Sequence, residues 1–197
     1  MKTFGLLALA ATVLAAFFGT TSAPAAKFTA GKAGVKYTET TLVSYVFTVT
    51  GGESECNEVT ATGTTEGTEY TNQKTVPSFS ACTSFGFGST VTNSGCTYNA
   101  SAGGSLTIEG ASCTMTMQVN NPFAKCKSIM KAQGPLGTLS YSNGSGDIVG
   151  KANVTGVIDE VTESSGLCPL TVGKHTNGSY VGESTGQAEG TTISWDA

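Results

Sequence analysis

Alternation of apolar and polar residues recurs along this chain, and it restricts the fold more than any other feature. A period of two places one face of an extended segment in a core and the other in water. It shows in Leu106-Thr107-Ile108 and in Cys113-Thr114-Met115-Thr116-Met117-Gln118-Val119, whose sulfur-bearing and valine side chains share one face. Methionines at this spacing read as core. Val43-Ser44-Tyr45-Val46-Phe47-Thr48-Val49-Thr50 is apolar at its odd positions, a pattern that Val46 interrupts. Further extended segments are expected over 137–141, 148–154, 157–161, 179–184 and 191–195, separated by Gly, Asn, Pro or Ser clusters. No later segment sustains a helical period.

About ten short strands with turn signals between them predict an all-β fold, an antiparallel β-sandwich or partly closed barrel. Charged residues make up only 12% of the chain, about half the usual share. Threonine and valine suit a pleated surface, and glycine punctuates it. A flexible stalk would share the low charge but not the alternation or the cysteines.

The N-terminus carries Lys2, an apolar run from Phe4 to Phe18, and small residues ending in Ala23-Pro24-Ala25-Ala26. This is the pattern of a secretory signal peptide, with cleavage expected after Ala25. The run is too short to span a bilayer as a helix, and no later stretch is long enough. The expected organisation is therefore a signal peptide over 1–25, an N-terminal extension or first strand over 26–41, and one disulfide-linked β domain over 42–197. A secreted or cell-surface, monomeric protein follows. Without Lys2, nine lysines face fourteen acids, and there is no arginine. That balance argues against nucleic acid and anionic lipid as partners.

Export meets oxidising conditions, so the six cysteines are expected as disulfides and not as metal ligands. Six cysteines allow fifteen connectivities, of which pairing in sequence order is favoured: Cys56 with Cys82, Cys96 with Cys113, Cys126 with Cys168. Cys96 and Cys113 flank a hairpin centred on Gly103-Gly104-Ser105. Strict pairing there would set Leu106 and Ile108 on the face opposite Cys113, so a bulge is expected near Gly110. Cys56 and Cys82 would bracket a second hairpin turning near Gly67.

Glu55-Cys56-Asn57-Glu58-Val59-Thr60, Ala81-Cys82-Thr83-Ser84-Phe85-Gly86-Phe87, Val91-Thr92-Asn93-Ser94-Gly95-Cys96-Thr97-Tyr98 and Leu167-Cys168-Pro169 together resemble a group of secreted actinobacterial proteins of unknown function. The similarity runs from about Val43 to Trp195. It implies a secreted, disulfide-linked β domain and brings no activity, cofactor or catalytic residue.

Candidate catalytic groups are few. Gly182-Glu183-Ser184-Thr185-Gly186 matches the G-x-S-x-G nucleophile elbow, but the single histidine, His175, precedes the serine and no helix can follow. His175 lies in a glycine-flanked segment, with no carboxylate named to orient it as a base. A lone histidine does not build a copper or zinc site of imidazoles, and no cofactor is implied. A small glycosidase could work through two carboxylates, for which Glu109 and Glu183 at strand ends are the candidates. The acidic run Glu53, Glu55, Glu58, Glu66 and Glu69, and the segment Asn143-Gly144-Ser145-Gly146-Asp147, hold oxygens that calcium could use, without the spacing of a known calcium loop. The expected role is a non-catalytic extracellular or cell-surface binding or structural domain, with cell wall, polysaccharide or another surface protein as partner. Loops presenting Ser, Thr, Asn and Tyr would make the contacts. The alternative is the glycosidase.

Overall fold

A computed structural model of the chain describes residues 25–49 and 51–197. The expected signal peptide lies outside these residues except for Ala25. All regular structure among them is strand: β1 (Lys27–Ala30), β2 (Lys36–Val49), β3 (Gly52–Thr64), β4 (Glu69–Tyr70), β5 (Asn72–Ser84), β6 (Phe87–Ser94), β7 (Thr97–Ser101), β8 (Ser105–Glu109), β9 (Thr114–Val119), β10 (Ala124–Lys131), β11 (Gln133–Gly137), β12 (Leu139–Asn143), β13 (Ile148–Gly166), β14 (Gly173–Ala188) and β15 (Ile193–Asp196).

The strands form a closed antiparallel barrel with eight staves. Five staves are single long strands, β2, β3, β5, β13 and β14. The other three are each broken by a jog. β6 and β7 follow one another along β5, β9 and β8 lie along those, and β10, β11 and β12 complete the wall beside β13. Consecutive staves are neighbours throughout, and β14 returns to pair with β2. This up-and-down path removes the free edges that a sandwich would have to protect. The fold is thus all-β and antiparallel as expected, and of the two architectures considered it is the barrel, closed fully and not in part, with eight staves in place of about ten short strands.

A separate three-stranded sheet, β15-β1-β4, lies at one end with Phe28, Tyr70, Ile193 and Ala30 in its core. Segment 26–41 accordingly belongs to the body of the protein. It supplies β1, and β2 runs straight through the boundary expected at 41/42.

Side-chain amides close the seams where backbone pairing lapses. The Gln133 amide donates to Ile158 O at 3.0 Å and accepts from Ile158 N at 2.8 Å, linking β11 to β13. Asn143 does the same for β15, donating to Trp195 O at 2.8 Å and accepting from Trp195 N at 2.7 Å. Each amide imitates a peptide unit, which is how a buried or edge backbone group avoids losing its partner.

Disulfides join Cys56–Cys82, Cys96–Cys113 and Cys126–Cys168. Cys56 and Cys82 are directly opposed in the β3–β5 ladder. The connection between those strands detours through β4 to the end sheet instead of forming a tight hairpin. Cys96 and Cys113 flank the β7–β8 hairpin, and the parity mismatch there is absorbed by a turn from Gly110, at φ 137°, closed by Cys113 N donating to Gly110 O. Cys113, Met115 and Val119 are buried, as alternation requires.

The odd-position pattern of β2 fails at Val43. A register shift between Thr40 and Tyr45 displaces the strand, and Leu42 and Val43 face solvent at 52% and 56% exposure. Thr41 Oγ1 fills the gap in the ladder, accepting from Val59 N at 2.6 Å and donating to Val59 O at 2.9 Å. Tyr45 then returns to the interior.

Candidate functional site

Glu109, Glu183 and His175 are partly exposed and are engaged separately. Glu109, at the end of β8, accepts from Asn99 Nδ2 at 2.6 Å and pairs with Lys74 at 3.5 Å. Glu183, within β14, pairs with Lys151 at 2.9 Å beside an open groove lined by Val43, Val46 and Val181. The two carboxylates are thus held by different partners, Asn99 and Lys74 for Glu109 and Lys151 for Glu183. His175 holds Thr171 O at 2.7 Å. It lies opposite Asp159 in the β13–β14 ladder.

Gly182-Glu183-Ser184-Thr185-Gly186 runs through the middle of β14, not through a strand-to-helix turn. Its glycines have a packing reason. A Cβ on Gly182 would overlap the ring of Tyr45, and one on Gly186 would overlap the hydroxyl of Tyr37. The strand gives up two side chains so that two tyrosines of β2 can enter the barrel. Ser184 is buried and hydrogen-bonds Tyr45.

Four of the candidate calcium ligands have partners within the fold. Asn143 is the clasp to β15, and Asp147 Oδ2 accepts from Thr185 Oγ1 at 3.0 Å. Glu58 accepts from Ser80, and Glu69 pairs with Lys27.

The tyrosines expected on recognition loops are instead inside. Tyr37, Tyr45, Tyr98, Tyr141 and Tyr180 line one chamber of about 60 Å³ in the half of the barrel nearer the end sheet. Tyr45 stacks on Tyr180 with centroids 5.0 Å apart, and Tyr98 meets Tyr180 edge-on at 6.3 Å. Tyr141 OH donates to Ser101 O at 3.0 Å. The chamber also holds a carboxylic acid, Glu39, two residues along β2 from Tyr37 and hydrogen-bonded to it. Thr75 and Ser184 add hydroxyls, and Lys151 reaches the rim.

Burial sets the protonation states here. Desolvation raises Glu39 to about 7, partly offset by the Tyr37 hydrogen bond. Desolvation also pushes Tyr45 up to about 12 and raises Tyr37, Tyr141 and Tyr180. The Glu39 carboxylate adds to all four. Five phenols, four of them in the field of Glu39, thus line a chamber with one acid raised to about 7, and perturbed groups of this kind cluster at functional sites.

The pH dependence of stability follows in sign. An acid whose pKa is higher folded than unfolded binds more protons in the native state, so its contribution is fully present below the unfolded pKa, about 4.3 for a glutamate. It is lost as pH rises to about 7. Unfolding free energy is expected to fall on the order of 2–3 kcal/mol between these limits. Asp159, also raised by burial, acts in the same direction. Urea denaturation at intervals between pH 4 and 8 should show the decline, and Glu39→Gln should flatten most of it. An unchanged slope in that variant would mean the carboxyl is not the titrating group.

Sequence reasoning missed Glu39. Its signal was present: Tyr37 and Glu39 alternate onto one face of an extended segment, so an acid shares the face of a core aromatic. Comparisons with protein-family models, with curated proteins and with solved structures give no match.

Proposed function

We propose that this chain is an exported, non-catalytic binding barrel whose ligand site is the tyrosine chamber around Glu39. The observation behind this reading is the chamber itself, in which five phenols and one titratable acid converge on a space large enough for water. A site of about 60 Å³ accommodates roughly two waters in the free protein, judged by the ~30 Å³ that a water occupies in the liquid. It therefore suits a small molecule, or the head group of a larger one, and not a bulky apolar ligand. Electron-rich ring faces and a carboxylate together favour a cationic head such as a methylated ammonium. Closed eight-stranded barrels have the dimensions to hold one small ligand. Three disulfides accord with an extracellular setting, as the resemblance to secreted actinobacterial proteins implies.

The test is thermal unfolding of the oxidised mature protein at pH 7.5 with methylammonium, tetramethylammonium or choline chloride, against sodium chloride at equal ionic strength. A ligand at a hundred times its Kd raises stability by about 2.7 kcal/mol, which shifts Tm by several degrees. The shift should disappear in Glu39→Gln. If no amine moves Tm beyond the sodium control, the chamber is a hydrated core and the reading is overturned.

A further inference from the structure

The other half of the barrel encloses a second cavity, of about 50 Å³, with different chemistry. The chain has four methionines, and every one after Met1 lines this space: Met115, Met117 and Met130. Met115 and Met130 face each other across the β9–β10 ladder, and Met117 stands opposite Ser128. The cavity also contains the carboxyl of Asp159, which is only 3% exposed. Ser128 Oγ donates to Asp159 Oδ2 at 2.9 Å, and Asp159 Oδ1 has no hydrogen-bond partner. Three thioethers and an unsatisfied carboxylate oxygen thus share one small space bounded by Phe47, Val91 and Val157, with Thr48, Ser54 and Ser179 also in its lining.

Each part of that set narrows the occupant. A buried acid with an unpartnered oxygen is costly unless a proton, water or cation completes it. Leucine would fill the wall as well as methionine, and with better-defined rotamers, whereas sulfur adds a soft donor that hydrocarbon lacks. Thioethers select soft ions such as copper(I). Calcium would need six to eight oxygens, and zinc prefers thiolate and imidazole, which this cavity does not supply. A monovalent ion also balances the single charge of Asp159, and a bare ion needs no more than the available volume.

We propose that this cavity is a binding site for a soft monovalent metal ion, copper(I) or its analogue silver(I), held by the sulfurs of Met115, Met117 and Met130 and by the carboxylate of Asp159. The site is independent of the tyrosine chamber and stands or falls without it. Met115 also accepts a contact from Tyr98 OH at 3.7 Å, which links the ligand set to the aromatic layer above and holds that side chain at the cavity.

Silver(I) nitrate is the probe, titrated into the oxidised mature protein in chloride-free buffer and read by native mass spectrometry and by the methyl resonances of 13C-labelled methionine. One silver ion per chain is expected, with all three methyl signals shifting together. The triple variant Met115→Leu, Met117→Leu, Met130→Leu conserves volume and should fold, as circular dichroism and Tm can verify. It should bind silver at least about a hundredfold more weakly, since most of the donor set is gone. Asp159→Asn should weaken binding about tenfold, through loss of the neutralising charge. His175→Ala, which removes the only imidazole, should bind as the wild type does. Equal affinity in the folded triple variant, loss of binding in His175→Ala, or no silver bound by the wild type would each overturn the proposal.

Discussion

Gly182→Ala should destabilise the barrel by about 3 kcal/mol or more, well beyond what one methyl group costs on an open strand. The new Cβ would overlap the Tyr45 ring. That ring cannot swing aside, because it is buried, stacked on Tyr180 and hydrogen-bonded to Ser184. A strand would therefore have to move, and β14 is pinned on both sides by β2 and β13. Larger residues at Gly182 should prevent folding. Gly88, on β6, is the control, since a Cβ there meets nothing within 4 Å. Gly88→Ala should be neutral or stabilising by up to about 1 kcal/mol, because alanine restricts the unfolded chain more than glycine does. Urea denaturation of both variants measures the contrast. A double-mutant cycle with Tyr45→Ala completes it: the Gly182→Ala penalty should largely vanish once the ring is gone. An additive cycle would mean that the glycine is required for something other than room.

Removing the Cys126–Cys168 disulfide, as Cys126→Ala with Cys168→Ala, should cost about 4 kcal/mol, the largest loss of the three bridges. Its sequence separation is 42, against 26 and 17 for the others, and the chain-entropy account makes the penalty grow with the logarithm of loop length. On the same account Cys96–Cys113 contributes about 3 kcal/mol. The longest bridge also holds the segment from 167 to 172, which covers the barrel end opposite the β1 sheet. There Leu170 packs with Val119, Ala124, Cys126 and Val161. The double variant should thus be cut by a non-specific protease within 167–172 before the barrel unfolds. Urea midpoints for the three bridge deletions test the order. If deleting Cys96–Cys113 costs most, native packing around each bridge outweighs loop entropy.

Alternation was sufficient to place the interior of β9, because Cys113, Met115, Met117 and Val119 obey a period of two without interruption. It failed at Val43, where the register shift in β2 turns apolar side chains outward. A bulge of that kind is a property of a pair of strands, and nothing in one of them announces it. The G-x-S-x-G match shows the same limit from the other side. Two glycines spaced four apart on one face of β14 read as a motif in sequence, and only the tyrosines of β2 explain them.

Local order in the sequence determined the all-β character, the hairpin centred on 103–105 and the expectation of disulfides, since each depends on residues a few places apart or on the redox setting that an N-terminal segment implies. Tertiary structure alone decided that the sheet closes, that three staves are broken and rejoined, and that Glu39 and Asp159 come to lie inside. Closure requires β14 to meet β2, pairing Tyr180 with Phe47 and Ala188 with Tyr37 across most of the chain's length. A residue's environment in a barrel is set by strands distant in sequence, so the acid that titrates near neutrality and the sulfurs that share a cavity become visible only after the wall has closed around them.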